Sequence, residues 1–366
     1  MIIIGAMGAS QVDPVQHVRK RGVMRIAIDG RTIVDQRSGI GIYAERIVRS
    51  LLRIDHSNHY ILYLVQPNNE LRAPNLEQVL IPGYNRMGRN RWWENVLFPR
   101  DAAIRGIDVL FSPANSLPFL PRFKNIARWL PLPKALKNIF NANGPVKYVA
   151  TVHDLVSDIL PETLTFKLRF WQRFFNSNAI KVADKIITVS DSTKRDLIKF
   201  YHPAAEKVSV VLSSVDRRFS RVKAKRLLTE VRKRYALPEF FILYIGTIEP
   251  RKNVQNIARA YNSLPAKLKE HYKLVLAGPI GWHADSIVAE IHTCDGNGSI
   301  DMPGYIDDKY LPELYSLASL FVFPSLYEGF GYPPLEAMAC GVPVITSNTS
   351  SIPQSSRRFC RSDRSF

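Results

Sequence analysis

Two glutamates near the end of the chain carry the clearest chemical signal. Glu328 and Glu336 are separated by seven residues, with Gly329-Phe-Gly331 directly after the first and Pro333-Pro334 shortly before the second. A carboxylate accepts hydrogen bonds from paired hydroxyls, and a glycine-rich turn entering a helix lets backbone amides approach an anion. The spacing predicts a turn that binds a polyol and a phosphate together. Without the glycines and prolines, it would fit only a solvated loop charge and a helix-start charge.

A second pair of residues is cationic. Arg251 and Lys252 stand in Gly-Thr-Ile-Glu-Pro-Arg-Lys-Asn, between an apolar run and a helix predicted over Val254–Leu264. A helix N-terminus attracts anions, arginine contacts a phosphate through two N–H groups, and lysine adds a point charge. The pair predicts a phosphate site, and a solvated Arg-Lys pair is the plainer alternative.

A histidine follows a strand at the position where open α/β sheets bind ligands. His153 and Asp154 end the β-branched run that begins at Lys147. Ligands of such sheets bind outside the carboxyl ends of the strands. We therefore expect His153 to line a site, with capping of a turn as the alternative for the pair.

Gly39-x-Gly41-x-x-Ala44 fits the dinucleotide fingerprint, but its surroundings do not. That fingerprint should follow its strand directly, and an acidic residue should end the next strand. Here a long loop intervenes, and the next predicted strand ends at Gln66. A nicotinamide cofactor is therefore disfavoured, and a plain helix-start turn remains an alternative.

Together these motifs resemble the signature of the retaining GT-B glycosyltransferases of group 1, or family 4, which use nucleotide-sugars. The likeness covers residues 24–353 and includes the Arg-Lys segment almost letter for letter, Val-His-Asp-Leu at 152–155 and the glutamate pair. It implies two Rossmann-like α/β domains facing a cleft, hexosyl transfer with retention, and no bound metal or cofactor. Several motifs are closest to mannosyltransferases of bacterial surface-polysaccharide synthesis, which favours GDP-mannose as the donor and a glycan or lipid-linked acceptor.

The resemblance implies a catalytic set, which comprises Arg251, Lys252, Glu328 and His153. The two cations would contact the donor diphosphate, the glutamate would bind hydroxyls of the donor sugar, and the histidine would lie near that sugar. The implied donor-binding set comprises Gly39, Gly41, Glu328, Gly329, Phe330, Gly331 and Glu336. In it, Glu336 would bind the ribose of the nucleotide.

Apolar runs alternate with amphipathic stretches along the chain, which predicts mostly parallel, doubly wound sheets. We expect an acceptor-side domain at 24–216, a linker region at 217–237 and a donor-binding domain at 238–353.

Local boundaries around the motifs can also be predicted. The glutamate pair should lie after a strand at 318–323 and on a short helix at 335–340. A helix at 43–52 should follow the glycines, and Asp307 and Asp308 should cap a helix at 309–318 rather than bind a metal.

The composition is that of a globular protein, with a net charge of +18. Three unpatterned cysteines favour the cytosol. The stretch 122–147 is basic, aromatic and free of acidic residues. It could contact an anionic membrane, which would place the chain at the inner face of the cytoplasmic membrane. Nucleic-acid binding is a weaker alternative because no nucleic-acid motif accompanies it, and a solvated loop and helix is the plainest reading.

Both ends of the sequence depart from the family pattern. Residues 1–23 are expected to be a disordered leader, and 354–366 lack the strand and helices with which the family continues. We therefore expect a truncated second domain with impaired activity. Two alternatives follow: an inactive relative that only binds nucleotide or a partner, and a basic protein that binds membranes or nucleic acid.

Overall fold

The computed structural model describes residues 22–34, 39–81, 93–119, 146–296 and 298–356. The expectations for the leader at 1–21, for 122–145 of the basic stretch and for the tail at 357–366 lie outside these residues. The described part forms two α/β units, each built on one parallel sheet.

The first unit contains a seven-stranded sheet in the order β3-β2-β1-β4-β5-β6-β7, with all neighbours parallel. The strands are β1 (Arg25–Asp29), β2 (His59–Leu64), β3 (Leu76–Leu80), β4 (Val109–Ser112), β5 (Lys147–Val152), β6 (Lys185–Thr188) and β7 (Val208–Val210). The helices are α1 (Gly39–Ile54), α2 (Phe98–Arg105), α3 (Val156–Ile159), α4 (Phe166–Val182) and α5 (Asp191–Tyr201), and a π-helical turn, Trp93–Leu97, precedes α2.

Both faces of this sheet are buried. Ala27 and Ile61 pack into one apolar cluster, whereas their strand neighbours Ile28 and Leu62 pack into another on the opposite face. Successive side chains of a strand point to opposite faces, so a strand covered on both sides must be apolar throughout. This explains why the sequence shows continuous apolar runs rather than polar–apolar alternation.

The second unit contains a five-stranded parallel sheet in the order β10-β9-β8-β11-β12. The strands are β8 (Phe241–Ile245), β9 (Lys273–Ala277), β10 (Ile300–Gly304), β11 (Leu320–Phe323) and β12 (Val344–Thr346). The helices are α6 (Lys225–Arg234), α7 (Val254–Asn262), α8 (Ala266–His271), α9 (Asp285–Cys294), α10 (Leu311–Leu317) and α11 (Tyr332–Ala339), and a last helical turn covers 352–356. The predicted pair of doubly wound α/β sheets is confirmed.

Each sheet has one point at which the strand order reverses, between β1 and β4 in the first and between β8 and β11 in the second. Ligands of open α/β sheets bind in the crevice at the carboxyl ends of the strands beside such a point. The topology therefore directs attention to the loops after β8 and β11.

Three local predictions were wrong. The helix predicted at 335–340 is α11, Tyr332–Ala339, because the two prolines are accommodated inside its first turn. The helix predicted to begin at Tyr43 begins at Gly39, so Gly39 and Gly41 lie in its first turn rather than in a loop. Asp307 and Asp308 do not cap a helix with their side chains. They pair instead with arginines: Asp308 with Arg218 at 2.5 Å, and Asp307 with Arg234 at 3.6 Å.

The carboxyl ends of β8 and β9 approach so closely that a glycine is required. Gly278 has φ +141°, and a Cβ there would lie 2.0 Å from the carbonyl oxygen of Gly246. We expect Gly278→Ala to lower the free energy of unfolding by more than about 2 kcal/mol, because the backbone must move to admit the methyl group. Urea unfolding measures the change. Gly296→Ala is the control, since a Cβ there would meet no described atom within 4 Å beyond its chain neighbours; equal midpoints for the two variants would contradict the expectation.

Candidate functional site

The loops after β8 and β11 are bonded to each other at the strand-order reversal of the second unit. The loop after β8 ends in a short 3₁₀ turn, Pro250–Lys252, and Asn253 then adopts a left-handed conformation with φ 59° before α7. The Leu326 amide donates to the Arg251 carbonyl at 2.9 Å, and Asn253 Nδ2 donates to the Pro324 carbonyl at 3.3 Å. These bonds hold the cationic turn against the loop that carries Glu328.

Three of the predicted site residues bind one another there. Arg251 Nη1 donates to Glu328 Oε2 at 3.1 Å, and Lys252 Nζ donates to Glu328 Oε1 at 2.6 Å. All three side chains are at least 85% buried. The sequence prediction that they share one site agrees with this geometry, although it did not include their direct ion pairs.

A fourth charged residue, Glu249, completes this cluster and was missed by the sequence analysis. Its Oε1 accepts from Arg251 Nε at 3.1 Å and from Arg251 Nη2 at 2.8 Å, and its side chain is only 2% exposed. The available signal was its place two residues before the arginine, since a buried acidic residue in a cationic loop needs a nearby partner. We call Glu249, Arg251, Lys252 and Glu328 the four-charge cluster; it holds two cations and two carboxylates.

Burial and ion pairing shift the pKa of Glu328 in opposite directions. Burial alone would raise the pKa of this carboxyl, but the charges of Lys252 and Arg251 outweigh it and lower the pKa to about 2. Burial lowers the pKa of Lys252, and the facing carboxylate of Glu328 opposes that shift. The glutamate is therefore ionised at neutral pH.

The backbone of Glu328 is fixed by hydroxyl groups from the loop after β12. Its amide donates to Ser350 Oγ at 2.9 Å, and its carbonyl accepts from Ser351 Oγ at 2.9 Å. No motif in the sequence singled out these serines. They hold the peptide on both sides of the glutamate, which restricts where its carboxylate can lie.

Glu336 lies in a different environment. Gly331 precedes α11 with φ 85°, and Pro333 and Pro334 lie in the first turn of that helix, which begins three residues earlier than predicted. Glu336 follows, buried, with one carboxylate oxygen 3.2 Å from the donating hydroxyl of Tyr315. Burial raises its pKa to about 7, against the attraction of Arg46 and Arg218. This carboxyl can therefore change its charge near neutral pH.

His153 lies at the carboxyl end of β5, as predicted, and packs against the glutamate loop. Its Nε2 lies 2.7 Å from the Pro113 carbonyl oxygen, so Nε2 must carry the proton. Burial lowers the pKa of His153, which leaves a neutral ring at pH 7. A Cβ at Gly329 would lie 2.0 Å from the His153 carbonyl oxygen. The close approach that Gly329 permits is thus to protein backbone.

The helix that contains Gly39 and Gly41 reaches the same region through other residues. Tyr43 contacts the His153 ring edge-on, with centroids 4.7 Å apart, and packs with Phe330. The Arg46 guanidinium lies over the Tyr332 ring, 5.3 Å from its centroid. The N-terminal part of α1 therefore borders the glutamate loop.

The part of the chain that the structure describes contains no cluster of three or more histidine, cysteine or acidic side chains arranged to hold a metal ion. The cationic side chains beside Glu328 are available for an anionic ligand only if it competes with that carboxylate. Two cations and a carboxylate lie side by side there, and these are the side-chain types that contact phosphates and hydroxyl groups.

Two family models match the chain. Glycosyltransferase Family 4 covers residues 37–219, half of the sequence, and Glycosyl transferases group 1 covers residues 229–357. The O-antigen chain mannosyltransferase B of Escherichia coli is 38% identical over 209 residues, which are 56% of this chain and 54% of that protein. The chain thus spans about half the length of this curated relative.

Solved structures share the fold at low sequence identity. WaaG, a glycosyltransferase involved in lipopolysaccharide biosynthesis, superimposes with a TM-score of 0.65 at 15% identity, covering 92% of this chain and 84% of its own. Anabaena HepE in complex with UDP and glucose gives a TM-score of 0.61 at 15% identity, and the superposition covers 90% of this chain and 82% of the HepE chain. These likenesses support the GT-B arrangement of two Rossmann-like units.

The raised pKa of Glu336 predicts a pH dependence of stability. An acid whose pKa is about 7 in the folded chain and about 4.5 in the unfolded chain binds more protons when folded. Stability should therefore fall as pH rises between these values, by about 3 kcal/mol. Relative to wild type, Glu336→Gln should gain stability from pH 5 to pH 8 in urea unfolding. Glu270→Gln, an exposed change on α8, should show no such gain; parallel curves for Glu336→Gln and wild type would contradict the prediction.

Proposed function

The chain belongs to the glycosyltransferases of family 4 and group 1, and we propose that it transfers a hexosyl group from a nucleotide-sugar to an acceptor hydroxyl. The observation that carries the proposal is the four-charge cluster at the strand-order reversal of the second sheet. There Arg251 and Lys252 lie beside Glu328, a carboxylate that can accept hydrogen bonds from sugar hydroxyls. Transfer with retained anomeric configuration and without a bound metal is part of the proposal.

Donor binding would exchange partners within the cluster. Without a ligand, the two positive charges are balanced by Glu249 and Glu328. A diphosphate brings negative charge that competes with Glu328 for Arg251 and Lys252. The glutamate can then accept hydrogen bonds from the donor sugar, so the phosphate and the sugar bind as one unit.

The transfer step breaks the bond between the anomeric carbon and the phosphate oxygen, and forms a bond from that carbon to the acceptor oxygen. The acceptor proton goes to the departing phosphate. Arg251 and Lys252 stabilise the charge that develops on the diphosphate. No protein nucleophile takes part, and Glu328 supplies positioning.

The other candidate residues complete this donor site. Glu336 accepts bonds from the ribose hydroxyls, best in its ionised form, and neutral His153 lies near the sugar without adding charge. We also propose that Gly39 and Gly41, in the first turn of α1, lie near the donor phosphates, because a helix N-terminus favours an anion. The amides of Phe330 and Gly331 add donors beside Gly329.

Mannose is the favoured sugar and GDP-mannose the favoured donor. The support is the likeness to an O-antigen chain mannosyltransferase, and that relative's name also supports a surface-polysaccharide acceptor. The structure of HepE with UDP and glucose supports a nucleotide-sugar donor in general. An inactive relative that only binds nucleotide is the second candidate, favoured by the ion pairs that already occupy Arg251 and Lys252.

We expect Glu328→Gln and Lys252→Ala to lower kcat/KM for mannosyl transfer from GDP-mannose by at least about a hundredfold. The glutamine retains the size of the side chain but not its charge. Turnover is measured as the GDP released when a mannose-terminated glycolipid is supplied as the acceptor. Replacing GDP-mannose by UDP-glucose tests donor choice. Glu290→Gln, whose partner is Arg259 on the surface of the second unit, is the matched control.

The outcomes separate the two candidates. Wild-type turnover that Glu290→Gln retains and Glu328→Gln loses supports the enzyme. Calorimetric binding of GDP without turnover supports the inactive relative. Turnover equal in wild type and Glu328→Gln would reject the proposed site.

We also infer peripheral contact with an anionic membrane, and α4 supports this from described residues. Phe166, Phe170 and Phe174 recur every four residues with exposures of 84, 54 and 40%. The same helix carries four basic residues and no acidic one: Lys167, Arg169, Arg173 and Lys181. Phenylalanines flanked by cations suit the boundary between lipid headgroups and acyl chains. No described helix is both long and apolar enough to span a bilayer.

The last described residue before the basic stretch at 122–147 is Phe119, and it lies beside this face. Phe119 packs against Phe174 and Phe175, with ring centroids 5.2 and 6.2 Å apart. Most of that stretch lies outside the described residues, so its own part in membrane contact stays a prediction.

Phe166→Ser combined with Phe170→Ser should reduce flotation with phosphatidylglycerol vesicles at least about fivefold, because apolar area that would enter the lipid boundary is lost. Ile104→Ser on α2 is the control: it also replaces an exposed apolar side chain, 72% exposed, by serine, and it should leave flotation unchanged. Binding to phosphatidylcholine vesicles alone should be weak. Equal flotation of the double variant and wild type would reject α4 as the contact.

A further inference from the structure

Tyr327 belongs to the second unit, but its side-chain hydroxyl has its polar partners in the first. It lies in the loop of the second unit that carries Glu328, and its ring is buried beside Val156 and Leu164 of the first. Its hydroxyl donates to Asp196 Oδ2 on α5 at 3.0 Å and accepts from the Leu155 amide at 3.4 Å. The side chain therefore connects the glutamate loop to the first unit.

The backbone of the same residue holds a cation of the four-charge cluster. The Tyr327 carbonyl accepts from Arg251 Nη1 at 2.8 Å, and this is the nitrogen that donates to Glu328 at 3.1 Å. A displacement of Tyr327 thus moves the acceptor that holds Arg251. It also moves the peptide bond that leads to Glu328.

Gly329 and Phe330, which directly follow Glu328, bring the units into close contact but provide less directional bonding than the Tyr327 hydroxyl. Gly329 approaches the His153 carbonyl so closely that no Cβ would fit. Thr193 Oγ1 lies 3.1 Å from the His153 carbonyl oxygen and 3.4 Å from that of Gly329. Phe330 adds apolar packing. The Tyr327–Asp196 bond is shorter than the Thr193–Gly329 contact and involves a carboxylate, which makes it sensitive to the relative placement of the units.

We propose that Tyr327 is a positioning residue that places Arg251 and Glu328 for sugar transfer when the two units pack together. Its effect on turnover rests on the proposed function, whereas the contact between the units does not. A tyrosine that merely fills space would need its ring and not its hydroxyl. The hydroxyl is therefore the group to remove.

The first experiment compares Tyr327→Phe, Asp196→Asn and the double variant in the mannosyl-transfer assay. Each single change should lower kcat by about tenfold to a hundredfold, because a hydrogen bond to a carboxylate is lost. The kcat of the double variant should lie within about twofold of the kcat of the less active single variant, because both changes remove the same bond. Unchanged kcat in active Tyr327→Phe, or effects that multiply in the double variant, would overturn the proposal.

Tyr201→Phe is the matched control. The Tyr201 hydroxyl donates to Asp158 Oδ2 at 3.0 Å, the same length and chemistry, but within the first unit. It should lower the unfolding midpoint as much as Tyr327→Phe while leaving kcat within about twofold of wild type. An equal loss of kcat in both variants would show a general structural effect and overturn the assignment.

A second measurement needs no activity. Backbone hydrogen exchange at 153–156, 251–252 and 327–330 should be at least about fivefold faster in Tyr327→Phe and Asp196→Asn than in wild type and Tyr201→Phe. If wild type transfers no sugar, the proposed function fails, and this exchange pattern alone decides whether Tyr327 holds the segments together. Unchanged exchange would overturn the positioning role.

Discussion

An ionised carboxylate removed from water needs a cation beside it, and this requirement governs the second unit. Glu328 is buried, and Arg251 and Lys252 compensate for its lost hydration through short ion pairs. Those partners are 77 and 76 residues away in sequence. They meet because β11 pairs directly with β8, which makes the loops after the two strands neighbours. The strand order is thus what brings the ion-pair partners together.

Other features of the second unit serve the same arrangement. Gly246 and Gly278 allow the strand ends near the cationic turn to approach closely, and Ser350 and Ser351 fix the peptide at Glu328. The first unit adds His153, whose carbonyl meets Gly329. Since the two units share this boundary, the site is built from both of them rather than from one sheet alone.

The sequence was informative where chemistry and local pattern coincide. Alternating apolar and amphipathic runs predicted two parallel sheets, and the motifs around Arg251 and Glu328 identified residues that the fold brings together. Specific ion pairs between residues remote in sequence could not be predicted where no motif linked them. Asp308 pairs with Arg218, 90 residues away, instead of capping a helix, because tertiary proximity offered a charged partner. The early start of α1 at Gly39 was missed because glycine weakens helices, whereas Tyr43, Ala44 and Val48 anchor that helix by packing. The residue roles at the site stay predictions.

The ion pairs of Glu328 have a consequence for the end of the catalytic cycle under the proposed function. A nucleoside diphosphate left in the site holds Arg251 and Lys252, and its departure would expose two buried cations. Glu328 is tethered beside them and can take its place, so the empty site is never left with unbalanced charge. The carboxylate therefore acts as an internal competitor at high effective concentration. This competition weakens the binding of the nucleoside diphosphate and favours release of that product.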